Sequence, residues 1–120
     1  MEKPIRKKEV TYRGNVLYMV VPCYNEEGVI EETTKRLSAK LKDMIARKKI
    51  NDKSRIVYVN DGSKDGTWRL INKLYKEYDL VSAINLSRNR GHQNAVLAGL
   101  MYAKDRADIA ISMDADLQDD

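Results

Sequence analysis

Asp114 and Asp116 stand one residue apart at the end of a short apolar run, Ile109-Ala110-Ile111-Ser112-Met113. The run reads as a buried strand, which puts both acids at its carboxyl end. Ligands of open α/β sheets bind at that end of the strands. Two carboxylates so spaced suit a hard divalent cation, which takes oxygen ligands, better than they suit a packed core. Asp116 would bind the cation, and the cation would bridge the oxygens of a nucleoside diphosphate. There it would offset charge on the leaving group as a sugar–phosphate bond breaks. Asp61, which closes another apolar run, offers an acceptor for a base ring N–H, a role that an ionised carboxylate fills well. Asp65 reads instead as a helix cap.

Competing chemistries fail on their own patterns. No Gly-x-x-x-x-Gly-Lys-Ser/Thr occurs, and the first strand is followed by Pro22-Cys23-Tyr24-Asn25-Glu26 rather than Gly-x-Gly-x-x-Gly. Asp61-Gly62-Ser63-Lys64-Asp65-Gly66 opens like a calcium loop, but Asn72 stands where the bidentate Glu is needed. His92 lies just before a helix on the ligand edge, where it is a candidate for contact with a donor phosphate or sugar. Arg90 is a second candidate for a diphosphate or lipid headgroup; Arg88 reads as solvated or capping. Cys23 is the only cysteine, so no internal disulfide forms, and a reducing compartment is favoured. Its expected role is that of a small buried hydrophobe.

The elements that would position these groups alternate without a break. Val16–Val21 is a continuous apolar run ended by Pro22, a strand covered on both faces. Glu26 and Glu27 are expected to open a helix running to about Lys49, with Ile30, Leu37, Leu41 and Ile45 on one face. Ile56–Val59 makes the second strand. A helix is expected from Lys64 or Asp65 to Tyr78, with Trp68, Ile71, Leu74 and Tyr75 as its apolar side. Leu80–Leu86 is the third strand, a helix over Gln93–Lys104 carries Val96, Leu97, Leu100 and Met101, and the last strand ends at Asp114. Right-handed crossovers make such strands parallel, in one sheet with helices on both faces. All four strand-end loops then converge on one edge.

At 120 residues the chain is one domain or part of one. It is 42% hydrophobic and 33% charged, with a net charge of +4, ordinary for an α/β protein. The basic excess gathers in residues 1–14, read as a flexible, solvated leader, and no nucleic-acid partner is expected. No stretch is long enough to span a membrane. A domain that ended on its own cation site would be odd. Residues 15–120 are therefore expected to be the N-terminal part of an enzyme domain, truncated after those acids and inactive alone.

Four segments carry a resemblance: Val21–Glu27, Val59–Thr67, Arg90–Ala95 with Ala98-Gly99-Leu100, and Met113–Asp119. In that order and spacing they resemble family 2 glycosyltransferases of the GT-A fold. Within these, the match is with the branch of dolichol-phosphate mannosyltransferases and bacterial polyprenyl-phosphate glycosyltransferases. The resemblance implies a Rossmann-like nucleotide-binding half, a UDP- or GDP-sugar donor, a divalent metal (Mg or Mn) and inversion at the sugar carbon. It implies nucleotide contacts at Pro22, Tyr24, Glu26, Val59, Asp61, Asp114 and Ala115, and metal ligands at Asp114, Asp116 and Gln118. It implies transfer to an undecaprenyl or dolichyl phosphate at the cytoplasmic face of a membrane, with acceptor-activating residues and membrane contact beyond Asp120. An open sheet edge would pair with a second copy. Asn60 departs from the family's commoner Asp, and Asp120 from a frequent Pro. The other readings are a saccharide acceptor in surface-polysaccharide synthesis and a non-catalytic nucleotide-binding or scaffold domain. A nucleotidyltransferase is more distant, because a Gly-rich phosphate loop is missing.

Overall fold

Apolar runs that do not alternate with polar residues need cover on both faces of a sheet, and the chain supplies it with helices. The computed structural model describes residues 14–116. Its elements are β1 (Leu17–Cys23), α1 (Ile30–Ala46), β2 (Arg55–Asp61), α2 (Thr67–Glu77), β3 (Val81–Leu86), α3 (His92–Lys104) and β4 (Ile109–Ser112). The strands form one parallel sheet in the order β3-β2-β1-β4. Leu17, Met19, Val21, Ile56 and Tyr58 pack on α1 and α2 through Ile30, Leu37, Leu41, Ile71 and Leu74. Tyr18, Val20, Val57 and Val59 pack on α3. The α/β class with helices on both faces is thus observed.

Helix α3 meets the sheet with small residues, Ala95, Gly99 and Ala103, while Leu97, Leu100 and Met101 stay exposed. The reason is closeness: a Cβ on Gly99 would overlap Val20 Cγ1 and lie 3.1 Å from Val59 Cγ2. β4 has one strand neighbour among the described residues, β1. Ile109 and Ile111, in register with Leu17 and Met19, remain 44% and 42% exposed.

Several boundaries differ from the sequence-based expectation. β1 continues through Pro22, which pairs with Val59. The Met113 N–H donates to the Val20 carbonyl, so the alternate residue Pro22 turns its missing N–H toward the β4 side, where that strand has ended and no ladder bond is lost. α1 begins at Ile30, one turn later than the acids suggest, because Asn25 adopts φ 54° and the Glu26 carbonyl takes the Val29 and Ile30 N–H groups in a turn. It ends at Ala46, ahead of Lys48 at φ 61°. α2 begins at Thr67, whose N–H donates to Asp65 Oδ1 at 2.9 Å. The leader, apart from Gly14, and Gln118 lie outside the described residues. No helix among the described residues is long and apolar enough to cross a membrane.

Candidate functional site

The chain runs from β1 outward to β2 and β3, then returns to β4 on the other side of β1. Neighbouring strand ends therefore send their loops apart between β1 and β4, and a crevice opens there. It holds a cavity of about 150 Å³ lined by residues from all four strand-end loops. Pro22, Cys23, Tyr24 and Glu26 come from the end of β1, Asp61 from β2, His92 from the start of α3, and Asp114, Ala115 and Asp116 from beyond β4. Val59 and Arg90 are outside this lining. Val59 is wholly buried under α3, and Arg90 gives its backbone N–H to Asp61 Oδ1 at 2.7 Å.

Asp61 is only 3% exposed, so one carboxylate oxygen serves the chain itself by tying down the loop before α3. Asn60 beside it donates from Nδ2 to Asn85 Oδ1 at 2.8 Å, and its own Oδ1 accepts the Ser63 N–H at 3.3 Å. An amide at position 60 therefore bridges the ends of β2 and β3. The Cys23 thiol is buried, donates weakly to the Val21 carbonyl at 3.4 Å, and is pushed up by burial and by the Glu26 charge. It is inert as a nucleophile, in keeping with its expected packing role.

Four acids line the cavity: Glu26, Asp61, Asp114 and Asp116. The Glu26 carboxyl is raised above its ordinary value by burial first, then by the charges of Asp116, Asp65 and Asp114. Its contribution to stability is present below the ordinary carboxyl value and is lost as pH rises through the raised one. At neutral pH the folded chain holds its acids together at a cost, which a cation bound there would offset. No group of three or more His, Cys, Asp or Glu that could hold a metal occurs among the described residues. The donors present fit the kind of site in which one or two carboxylates share a Mg- or Mn-sized ion with phosphate oxygens and water. Asp65 departs from this group. Desolvation pushes it up, but hydrogen bonds from Thr67 and the Glu27 N–H outweigh that and hold it low; it stands one residue before Gly66, the residue that caps α2.

One positioning residue escapes sequence reasoning. Thr33, on the buried side of α1, donates its hydroxyl to the Ala115 carbonyl and so pins the loop between the two aspartates to the helix. The sequence offers little signal, because Thr33 shares the buried face of α1 with two other hydroxyl residues, Thr34 and Ser38. Thr33→Val keeps the shape and leaves that buried carbonyl unpaired, at about 1–2 kcal/mol. A scanning-calorimetry melt is expected to fall by roughly 4–8 °C; an unchanged melt would show that the bond carries nothing.

Comparison with known proteins adds to this geometry. The family model for glycosyl transferase family 2 matches residues 18–120. The uncharacterized glycosyltransferase YkoT of Bacillus subtilis is 50% identical over 105 residues, covering 88% of this chain and 31% of that protein. The undecaprenyl-phosphate 4-deoxy-4-formamido-L-arabinose transferase of Pseudomonas paraeruginosa is 36% identical over 109 residues, covering 89% of this chain and 30% of that protein. Among solved structures, the mannosyltransferase PcManGT from Pyrobaculum calidifontis in complex with GDP-Man and Mn2+ superposes with a TM-score of 0.70 at 28% identity, covering 88% of this chain and 28% of that one. The chain thus spans somewhat under a third of the length of these relatives.

Proposed function

The chain belongs to glycosyl transferase family 2, and from that premise we propose that it is the donor-binding part of an inverting enzyme. That enzyme moves a sugar from a UDP- or GDP-sugar to a polyprenyl phosphate at the cytoplasmic face of a membrane. The observation that carries the reading is the gathering of Glu26, Asp61, Asp114 and Asp116 from three strand ends around one crevice. Acids so gathered are costly unless a cation joins them.

In this reading Tyr24 and Pro22 flank the base, the Asp61 carboxylate accepts from it, and Ala115 approaches the nucleotide through its main chain. Asp114, Asp116 and Gln118 would hold a divalent cation. When bound, that ion supplies charge neutralisation at the diphosphate as the bond to the sugar breaks. His92, at the N-terminus of α3, meets a phosphate or the sugar, where the helix dipole also favours negative charge. A lipid phosphate acceptor arrives already anionic and needs little base catalysis; residues that orient it belong outside residues 1–120.

The match with an undecaprenyl-phosphate sugar transferase and the likeness to a mannosyltransferase bound to GDP-Man and Mn2+ support the donor and acceptor classes. The test is product analysis with a longer chain containing this domain, incubated with labelled nucleotide sugars and undecaprenyl phosphate. Label in an organic-extractable, acid-labile lipid is expected. Label only in a water-soluble saccharide would move the acceptor to a sugar, and no transfer at all would favour a nucleotide-binding scaffold. We also propose that the open edge of β4, with Ile109 and Ile111 exposed beside it, pairs this 120-residue chain with a second copy. Light scattering is expected to give a dimer mass at high concentration, and a monomer throughout would contradict it.

A further inference from the structure

The loop after β1 is held by the loop after β2 through a set of cross-loop hydrogen bonds. The Asn25 N–H donates to Ser63 Oγ at 2.9 Å, and Asn25 Oδ1 accepts the Lys64 N–H at 2.8 Å. The Glu26 N–H donates to Thr67 Oγ1 at 2.7 Å, and the Thr67 hydroxyl in turn donates to Asp65 Oδ1 at 2.5 Å. The Glu27 N–H reaches Asp65 Oδ2 at 3.4 Å, while Glu27 Oε1 accepts the Gly66 N–H at 2.6 Å. Asn25 makes this possible by adopting φ 54°, a left-handed conformation that asparagine tolerates better than most residues.

The two residues that flank Asn25, Tyr24 and Glu26, line the cavity, whereas Ser63, Asp65 and Thr67 do not. Pairing between β1 and β2 stops at Cys23 and Asn60, so beyond that point the clasp fixes how the two loops lie against each other. Glu26 faces Asp114 and Asp116, charges of its own sign, and a loop free to relax would swing it away. We propose that Asn25, Ser63, Asp65 and Thr67 are positioning residues that hold Tyr24 and Glu26 in the geometry required for nucleotide binding. They act from behind the loop and do not touch the ligand. This rests on the reading of the cavity as a nucleotide site.

Thr67 is the sharpest probe, because it both accepts from Glu26 and donates to Asp65. Thr67→Val keeps its volume and removes both bonds; Thr67→Ser restores them. Amide hydrogen exchange followed by NMR is read beside calorimetric titration of UDP and GDP, each with manganese ions. In Thr67→Val the Glu26 amide is expected to exchange faster and nucleotide affinity to fall about tenfold, the worth of roughly one hydrogen bond. Amides in the middle of β2 keep their protection, and Thr67→Ser recovers both readouts. Should Thr67→Val fail to fold, Ser63→Ala at the less buried Ser63 frees the Asn25 amide and is read in the same way. Faster exchange at Glu26 with undiminished affinity overturns the positioning role alone. A wild-type chain that protects these amides yet binds neither nucleotide overturns the nucleotide reading, and the positioning role falls with it.

Discussion

Asp116→Ala is expected to weaken metal-supported binding of a nucleoside diphosphate by at least about a hundredfold, or about 2.7 kcal/mol. The diphosphate is an anion entering a crevice already lined with Glu26, Asp61, Asp114 and Asp116, and it can bind there only if a cation intervenes. Removing one of the two carboxylates after β4 removes a ligand that a small hard ion cannot easily replace. The same substitution removes the foremost of the charges that raise the Glu26 carboxyl. Glu26 is then expected to titrate nearer its ordinary value, which an NMR titration of its side chain reads directly. Unchanged affinity together with an unchanged Glu26 titration would place Asp116 outside the site.

Gly62→Ala is expected to carry the largest cost to the fold. Gly62 sits at φ 69°, and a Cβ there would overlap the Asn89 nitrogen and lie 2.5 Å from the Arg88 carbonyl carbon. Both obstacles are backbone, so neither can turn aside as a flexible side chain would. The left-handed conformation costs a non-glycine residue about 1 kcal/mol, and forcing two main chains apart about 1–3 kcal/mol more. The melting temperature is expected to fall by roughly 10 °C or more. The loop that is pushed away carries the N–H of Arg90, which donates to Asp61, so nucleotide affinity falls as well. A melt within experimental error of the wild type would mean that these loops are not packed as described.

Much of the fold is legible because the strand signals here are strong and local. Leu17–Val21 and Ile56–Val59 are apolar without interruption, and only a sheet covered on both faces can bury them. Once four strands alternate with helices, handed crossovers make them parallel and bring their carboxyl ends to one edge. That geometry is why Tyr24, Asp61, His92 and Asp116, far apart in sequence, come to line one cavity. What escapes reading is set by tertiary contact. Glu26 and Glu27 look like the first turn of a helix, but the clasp to Ser63–Thr67 holds them outside it. The large apolar residues of α3 look like its core face, yet the small ones at Ala95, Gly99 and Ala103 allow the helix to approach the sheet. Thr33 has no local signature at all, because its partner is the carbonyl of Ala115, brought near only by folding.

The acids of the crevice are proposed to bind a nucleoside diphosphate through a divalent cation. This is tested most directly by calorimetric titration of UDP and of GDP into the wild-type chain, first with manganese ions and then with EDTA. One of the two nucleotides is expected to bind in manganese, and the heat to disappear in EDTA. Binding of equal strength in EDTA would contradict that proposal, because Asp114 and Asp116 would then have no cation to hold for the nucleotide.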